Sequence, residues 1–220
     1  MTRIAGVSAR EAGPLVKLAY FFMRRQFTQL TGRENKLMNE RMIEPLKMYA
    51  YSPGLLRGIA GLEQATARLH RLDERLKNLA ELKAATLTHC EYCIDLGSLI
   101  ARRSGLSEGQ LLALPYYRTS KLFTDLEKLV LDYAVGMSST PVDVPDALFA
   151  DLQEHFDDAQ IVELTHVIAL ENLRGRFNLA LGIGAAGFSE GMVCAVPATT
   201  SDRERSIQAR TGGGESLDLQ

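Results

Sequence analysis

Cys90 and Cys93 are the residues of this 220-residue chain whose type and spacing point most directly to chemistry. Two thiols three positions apart on a helix lie one turn apart on one side, which suits a dithiol/disulfide couple. The local sequence is Thr88-His89-Cys90-Glu91-Tyr92-Cys93. Thr88 followed three residues later by Glu91 has the form of a capping box, so Cys90 is expected in the first turn of a helix. Free N–H groups and the helix dipole favour a thiolate there. Two other uses fit the same pair. A structural zinc site would need two further ligands from His70, His89, His155, His166 and Cys194, none of which is paired at ligand spacing. Both cysteines could instead be small buried hydrophobes. Cys194 stands apart as a bystander.

The elements that position this pair are read as all-α. Leu76, Leu79, Ala80, Ala84 and Leu87 fall on one helix face. Similar stripes run through Leu126, Leu129, Val130 and Tyr133, and through Ile161, Leu164 and Ile168. No alternating β-branched run is long enough for a strand. The spacing predicts helices over 9–31, 40–50, 54–71, 73–87, 89–104, 107–114, 123–138, 145–155 and 158–181. Ser138-Ser139-Thr140-Pro141 is a stop, and Pro145 reads as the entry to the next helix. The domain expectation is an N-terminal helical extension over 1–35, a helical domain over 36–198 and a flexible, polar, Gly-rich tail over 199–220.

Composition narrows the class. The chain is 46% hydrophobic and 24% charged, with 25 Lys and Arg against 27 Asp and Glu. That balance supports a globular core and speaks against nucleic acid as a partner, since phosphate backbones require a concentrated basic surface. Three cysteines cannot form a disulfide scaffold. Leu15 to Met23 is too short to span a bilayer, and the first residues lack the pattern of a secretory signal. A cytoplasmic setting without membrane attachment follows as an expectation, and reduced thiols there are more often reactive or metal-binding than structural. Charge is uneven: residues 1–36 hold seven Lys and Arg against two acids, and residues 121–163 hold two Lys against ten acids. These are either two solvated faces or surfaces that attract one another, within a subunit or between copies.

The stretch ERLKNLAELKAATLTHCEYCIDLGSLIARRSGLSEGQ (74–110) resembles the core of the carboxymuconolactone decarboxylase superfamily, in its alkylhydroperoxidase D-like branch. ENLRGRFNLALGIG (171–184) is similar to the helix that closes that domain. The resemblance implies an all-α helical bundle of the alkylhydroperoxidase D-like type, assembled as a homo-oligomer (a trimer or multiple, or a dimer). It implies a peroxide substrate, no metal or organic cofactor, and re-reduction by a dithiol such as a lipoylated protein. Laid on this chain, Cys93 resembles the peroxide-attacking thiol and Cys90 its resolving partner. The family's relay glutamate and histidine fall on Asn78 and Gly97 here.

Substitutes for that relay are Glu81 and His89. Glu81 shares a face with Asn78 and is either a surface carboxylate or, if a neighbouring helix or subunit covers Leu82 and Ala85, a group aimed at the thiols. His89, four residues before Cys93, is either a solvent-facing first-turn residue or, in a regular first turn, within reach of Cys93, where it would lower the thiol pKa or take its proton. Asp95 and Ser98 read as solvated or capping residues, Tyr92 as core, Gly97 as helix packing, and His166 as a hydrogen-bonded core histidine. Arg174 and Arg176 pair with an acid such as Glu171 or bind an anion. A thiol-dependent oxidoreductase leads. Lactone decarboxylation through Glu81, His89 and Arg176, or a non-catalytic oligomer with a redox-sensing pair, are the alternatives.

Overall fold

In the computed structural model, residues 2–32 and 40–197 are described. Among them the regular structure is helical, with no strand. Helices α1 (Pro14–Thr31), α2 (Glu44–Tyr49) and α3 (Pro53–Thr66) lead into α4 (Glu74–Thr88) and α5 (Glu91–Arg103), which flank Cys90. Then come α6 (Glu108–Ala113), a 3-10 turn (Leu114–Tyr116), α7 (Asp125–Ser138), α8 (Asp146–His155) and the long α9 (Asp158–Leu181). The all-α expectation is met. The expected boundary at 35/36 and the tail over 199–220 lie outside the described residues.

Local chemistry sets the helix ends. Asp73 caps α4 by accepting the N–H groups of Arg75 and Leu76. Ser107 with Gln110, Thr124 with Glu127, and Asp157 with Gln160 form capping boxes at α6, α7 and α9. Helix α1 starts at Pro14 rather than 9, because proline fits the first turn but not a helix interior. Helix α3 ends at Thr66 rather than 71. Beyond it, the N–H groups of Arg71 and Leu72 go to the Glu163 carboxylate on α9 instead of continuing the helix.

Helix α4 is central and is packed by α5, α7 and α9. The single apolar face expected of it is in fact two. Leu76, Ala80 and Ala84 meet Val130, Ala134, Leu164 and Ile168, while Leu79, Leu82, Ala85 and Leu87 join the cluster that holds both cysteines. Even Lys77 and Lys83 on α4 are buried, and their ammonium groups donate to the carbonyls of Leu69 and Leu114. Truncating such a side chain, for example Leu79→Ala, would cost about 2–5 kcal/mol. Contacts between α4 and α9 advance together, from Lys77 and Glu163 to Thr88 against Gly175, so the two run side by side in one direction.

Near the N terminus, Val16 and Tyr20 of α1 pack with Ile43, Ala50 and Leu56, and the Tyr20 hydroxyl donates to the Val7 carbonyl. The carboxylate partner of Arg24 is Glu40, not a member of the acidic stretch 121–163.

Candidate redox site

The chain turns sharply between α4 and α5. His89 adopts the left-handed conformation (φ 59°), and the Cys90 N–H returns to the Ala85 carbonyl at 3.3 Å. Thr88 therefore ends α4, with its hydroxyl donating to the Ala85 carbonyl, and the expected Thr88/Glu91 capping box does not form. Cys90 itself is the N-cap of α5: its Sγ accepts the Cys93 N–H at 3.2 Å. His89 consequently lies outside α5, with an exposed side chain, and the regular first turn that would carry it towards Cys93 is absent. Glu91 is exposed as well.

Cys90 and Cys93 are joined as a disulfide, with Cα atoms 5.2 Å apart. Cys90 is fully enclosed and Cys93 is 7% exposed, so Cys93 is the outer residue of the pair. Both stand at the amino end of α5, where the dipole and free N–H groups stabilise a thiolate on either. The buried Asn178 of α9 completes the site, with its Nδ2 3.6 Å from each sulfur. An amide N–H aimed at sulfur favours the thiolate over the thiol. Tyr92 is core, as expected, packed edge-on against Phe188. Gly97 leaves room for Leu82, whose Cδ1 would sit 3.2 Å from an added Cβ.

Glu81 is brought neither to the surface nor to a sulfur. Helix α9 covers its side of α4, and Arg174 gathers three carboxylates. The guanidinium donates to Glu81 at 3.0 Å, to Glu171 at 3.1 Å and, through Nε and Nη2, to both oxygens of Glu63 on α3. Burial raises the Glu81 carboxyl above its ordinary value, against the pull of Arg174. Burial likewise pushes Glu171 up to about 7, opposed by Arg174 and reinforced by the charge of Glu81. Burial disfavours the Arg174 cation, but the three carboxylates outweigh it and keep it charged. Glu171 Oε1 and Asn78 Nδ2 are buried without hydrogen-bond partners.

Asp95, expected to be solvated, is instead buried and anchors the segment that follows α9. Its Oδ2 accepts the N–H groups of Ala186, Gly187 and Phe188, and its Oδ1 accepts that of Ser189. Ser98 is also buried and accepts the Ala195 N–H. Both residues belong to α5, so residues 186–195 are strapped onto the helix that carries the disulfide. His166 is hydrogen-bonded to Thr66, as expected of it, while Cys194 is a partly buried free thiol.

Residues 53–135, from the start of α3 into α7, match the sequence profile of the carboxymuconolactone decarboxylase family. That stretch of the chain belongs to the carboxymuconolactone decarboxylase superfamily. The chain is 42% identical over 127 residues to the uncharacterized protein YnjA of Escherichia coli, an alignment covering 57% of this chain and 66% of YnjA. Among solved structures it is similar to ATU0492 of Agrobacterium tumefaciens, a protein of unknown function, at 25% identity with a TM-score of 0.56 over 61% of this chain and 92% of that one. The debrominase Bmp8, solved in complex with 2,3,4-tribromopyrrole, shares the fold at 20% identity. Its TM-score is 0.67, covering 84% of this chain and 94% of Bmp8.

The residues proposed for lactone decarboxylation, the reaction named by the superfamily, are not gathered. Glu81 is on Arg174, His89 is exposed in the turn, and Arg176 donates to the Thr140 hydroxyl. No group of three or more His, Cys, Asp or Glu residues among the described residues is placed to hold a metal ion. Likewise, none of the described helices is long and apolar enough to cross a membrane. Asn178 escaped the sequence reading, whereas Glu171 was expected as an acid partner and does pair with Arg174. A signal did exist, since Glu171, Arg174 and Asn178 recur at i, i+3 and i+7 along one side of that helix.

Proposed function

We propose that this protein is a thiol-dependent oxidoreductase that reduces peroxides through Cys93 and Cys90. The observation that carries this is the joined pair at the amino end of α5, with Asn178 donating towards both sulfurs. In the reduced state the Cys93 thiolate attacks one peroxide oxygen. The O–O bond breaks, Cys93 becomes a sulfenic acid, and the departing alkoxide takes the thiol proton and leaves as an alcohol. Cys90 then displaces water from the sulfenic acid and the disulfide forms. An external dithiol, of the lipoyl class implied by the resemblance, restores both thiols by exchange. The partial exposure of Cys93 and the full enclosure of Cys90 support attack at the former and resolution by the latter. A homo-oligomer would cover the exposed Leu15, Leu18, Phe21 and Phe22 of α1.

The test is to reduce the protein, add one equivalent of hydrogen peroxide or an alkyl hydroperoxide, and map the cysteines by mass spectrometry. A Cys90–Cys93 disulfide is expected in the parent protein. Cys90→Ser should instead accumulate a sulfenic acid on Cys93, and Cys93→Ser should consume no peroxide. Two thiols that stay reduced would overturn the proposal and favour a non-catalytic role.

A further inference from the structure

Helix α9 connects the disulfide to a partly buried charge cluster that the proposed chemistry does not use. Asn178 touches the sulfurs, Arg174 lies one turn before it, and Glu171 nearly one turn before that. Helix α4 repeats the relationship from its own side: Glu81 reaches Arg174, while Thr88, two residues before Cys90, rests against Gly175. Three carboxylates share one guanidinium, and of the four side chains only Glu171 is buried. With every group ionised they would carry a net charge of −2, and Glu171, buried with its Oε1 unpaired among the described residues, is the member placed to bind a proton.

We propose that Glu171, paired with Glu81 on Arg174, is the proton-holding partner of the Cys90/Cys93 dithiol, so that cluster and thiols titrate as one coupled unit. Glu171 is a positioning residue in this scheme, because it acts on the sulfurs through the field and touches neither. Burial, which brings Glu171 to about 7, places its exchange where thiolates form. The charged groups that act on it are Arg174 on α9, Glu81 on α4 and Glu63 on α3, and these in turn are coupled to Lys77 on α4, the Tyr49 phenol on α2 and the Tyr92 phenol on α5. Seven residues of helix separate Glu171 from Asn178 by about 10 Å along the axis. At that distance and an effective dielectric near 20, one added charge changes a thiolate fraction by about tenfold.

The balance is simple. When Cys93 loses its proton to solvent the cluster holds its own more tightly, and the alkoxide released as the peroxide bond breaks takes up one proton from solvent and leaves as an alcohol. The inference rests on the dithiol function above, but neither of its tests uses a peroxide. The first is the iodoacetamide alkylation rate of Cys93 in the fully reduced protein between pH 5 and 9. The parent profile is expected in two steps, one of them near pH 7 where the cluster gives up its proton. Glu171→Gln should collapse it to one step and raise the rate at pH 8 by up to about tenfold, with little change at pH 6. A single-step parent profile, or superimposable profiles for parent and variant, would overturn the proposal. The second measurement needs no variant: the infrared difference spectrum between disulfide and dithiol forms at pH 7 should contain a carboxylic-acid carbonyl band, and its absence would also overturn the proposal.

Discussion

Asn178 Nδ2 lies 3.6 Å from Cys93 Sγ, although the two residues are 85 positions apart in the chain. The same amide stands equally far from Cys90 Sγ, so one side chain on α9 serves both ends of the redox couple. Close approach of α9 to the turn makes this possible, and Gly175 permits the approach: a Cβ there would lie 2.6 Å from the Thr88 hydroxyl.

Asn178→Ala removes a donor from both sulfurs. Alkylation of the reduced protein at pH 7 is expected to slow several-fold, with a stability loss of about 1 kcal/mol. Asn178→Asp, which sets a negative charge beside the thiolates, should slow it further. Equal rates in the parent and both variants would show that the amide does not tune the thiols.

Stability should depend on pH through Glu171. Its carboxyl moves from 4.5 to about 7 on folding, so in that interval the folded state binds more protons than the unfolded state. Stability is therefore greater at the acid end of the window and falls as pH rises through it, by about 3 kcal/mol for this group. Urea unfolding at pH 5 and pH 8 measures the difference. Glu171→Gln should flatten it, and an unchanged slope would contradict the assignment.

Asp95→Asn tests the strap. The carboxylate accepts four backbone N–H groups, and an amide nitrogen in place of one oxygen accepts none. Leaving buried N–H groups unpaired should cost about 2–4 kcal/mol in urea unfolding. The loosened segment should also be cut faster by protease within 183–197, with Cys194 alkylated sooner. Unaltered proteolysis would mean that apolar packing of Phe188 and Ala195 holds the segment without Asp95.

Helix periodicity and the cysteine spacing were legible from the residues, because both are local patterns. What misled was a local pattern with a competing solution. Thr88 and Glu91 have the form of a capping box, but His89 accepts the left-handed conformation and lets α4 run through Thr88, which hands the cap to a sulfur. Glu81 was misplaced for a different reason. Its neighbours Leu82 and Ala85 hinted at a second covered face, but only α9 crossing α4 reveals that Arg174 waits there. Asp95 left no trace in the sequence, since its partners are backbone N–H groups 91 to 94 positions away. Backbone groups carry no residue signature, so a carboxylate that binds them looks like any other on a helix surface.

The double duty of Cys90 matters to anyone dissecting the pair. As N-cap it orders the first turn of α5, and serine is among the strongest residues in that position while alanine is among the weakest. Cys90→Ser thus deletes the electron chemistry and preserves the turn, whereas Cys90→Ala deletes both and should unfold about 1 kcal/mol more easily than the serine protein. Loss of turnover in the alanine protein alone would report a frayed helix, and loss in both would report a missing sulfur.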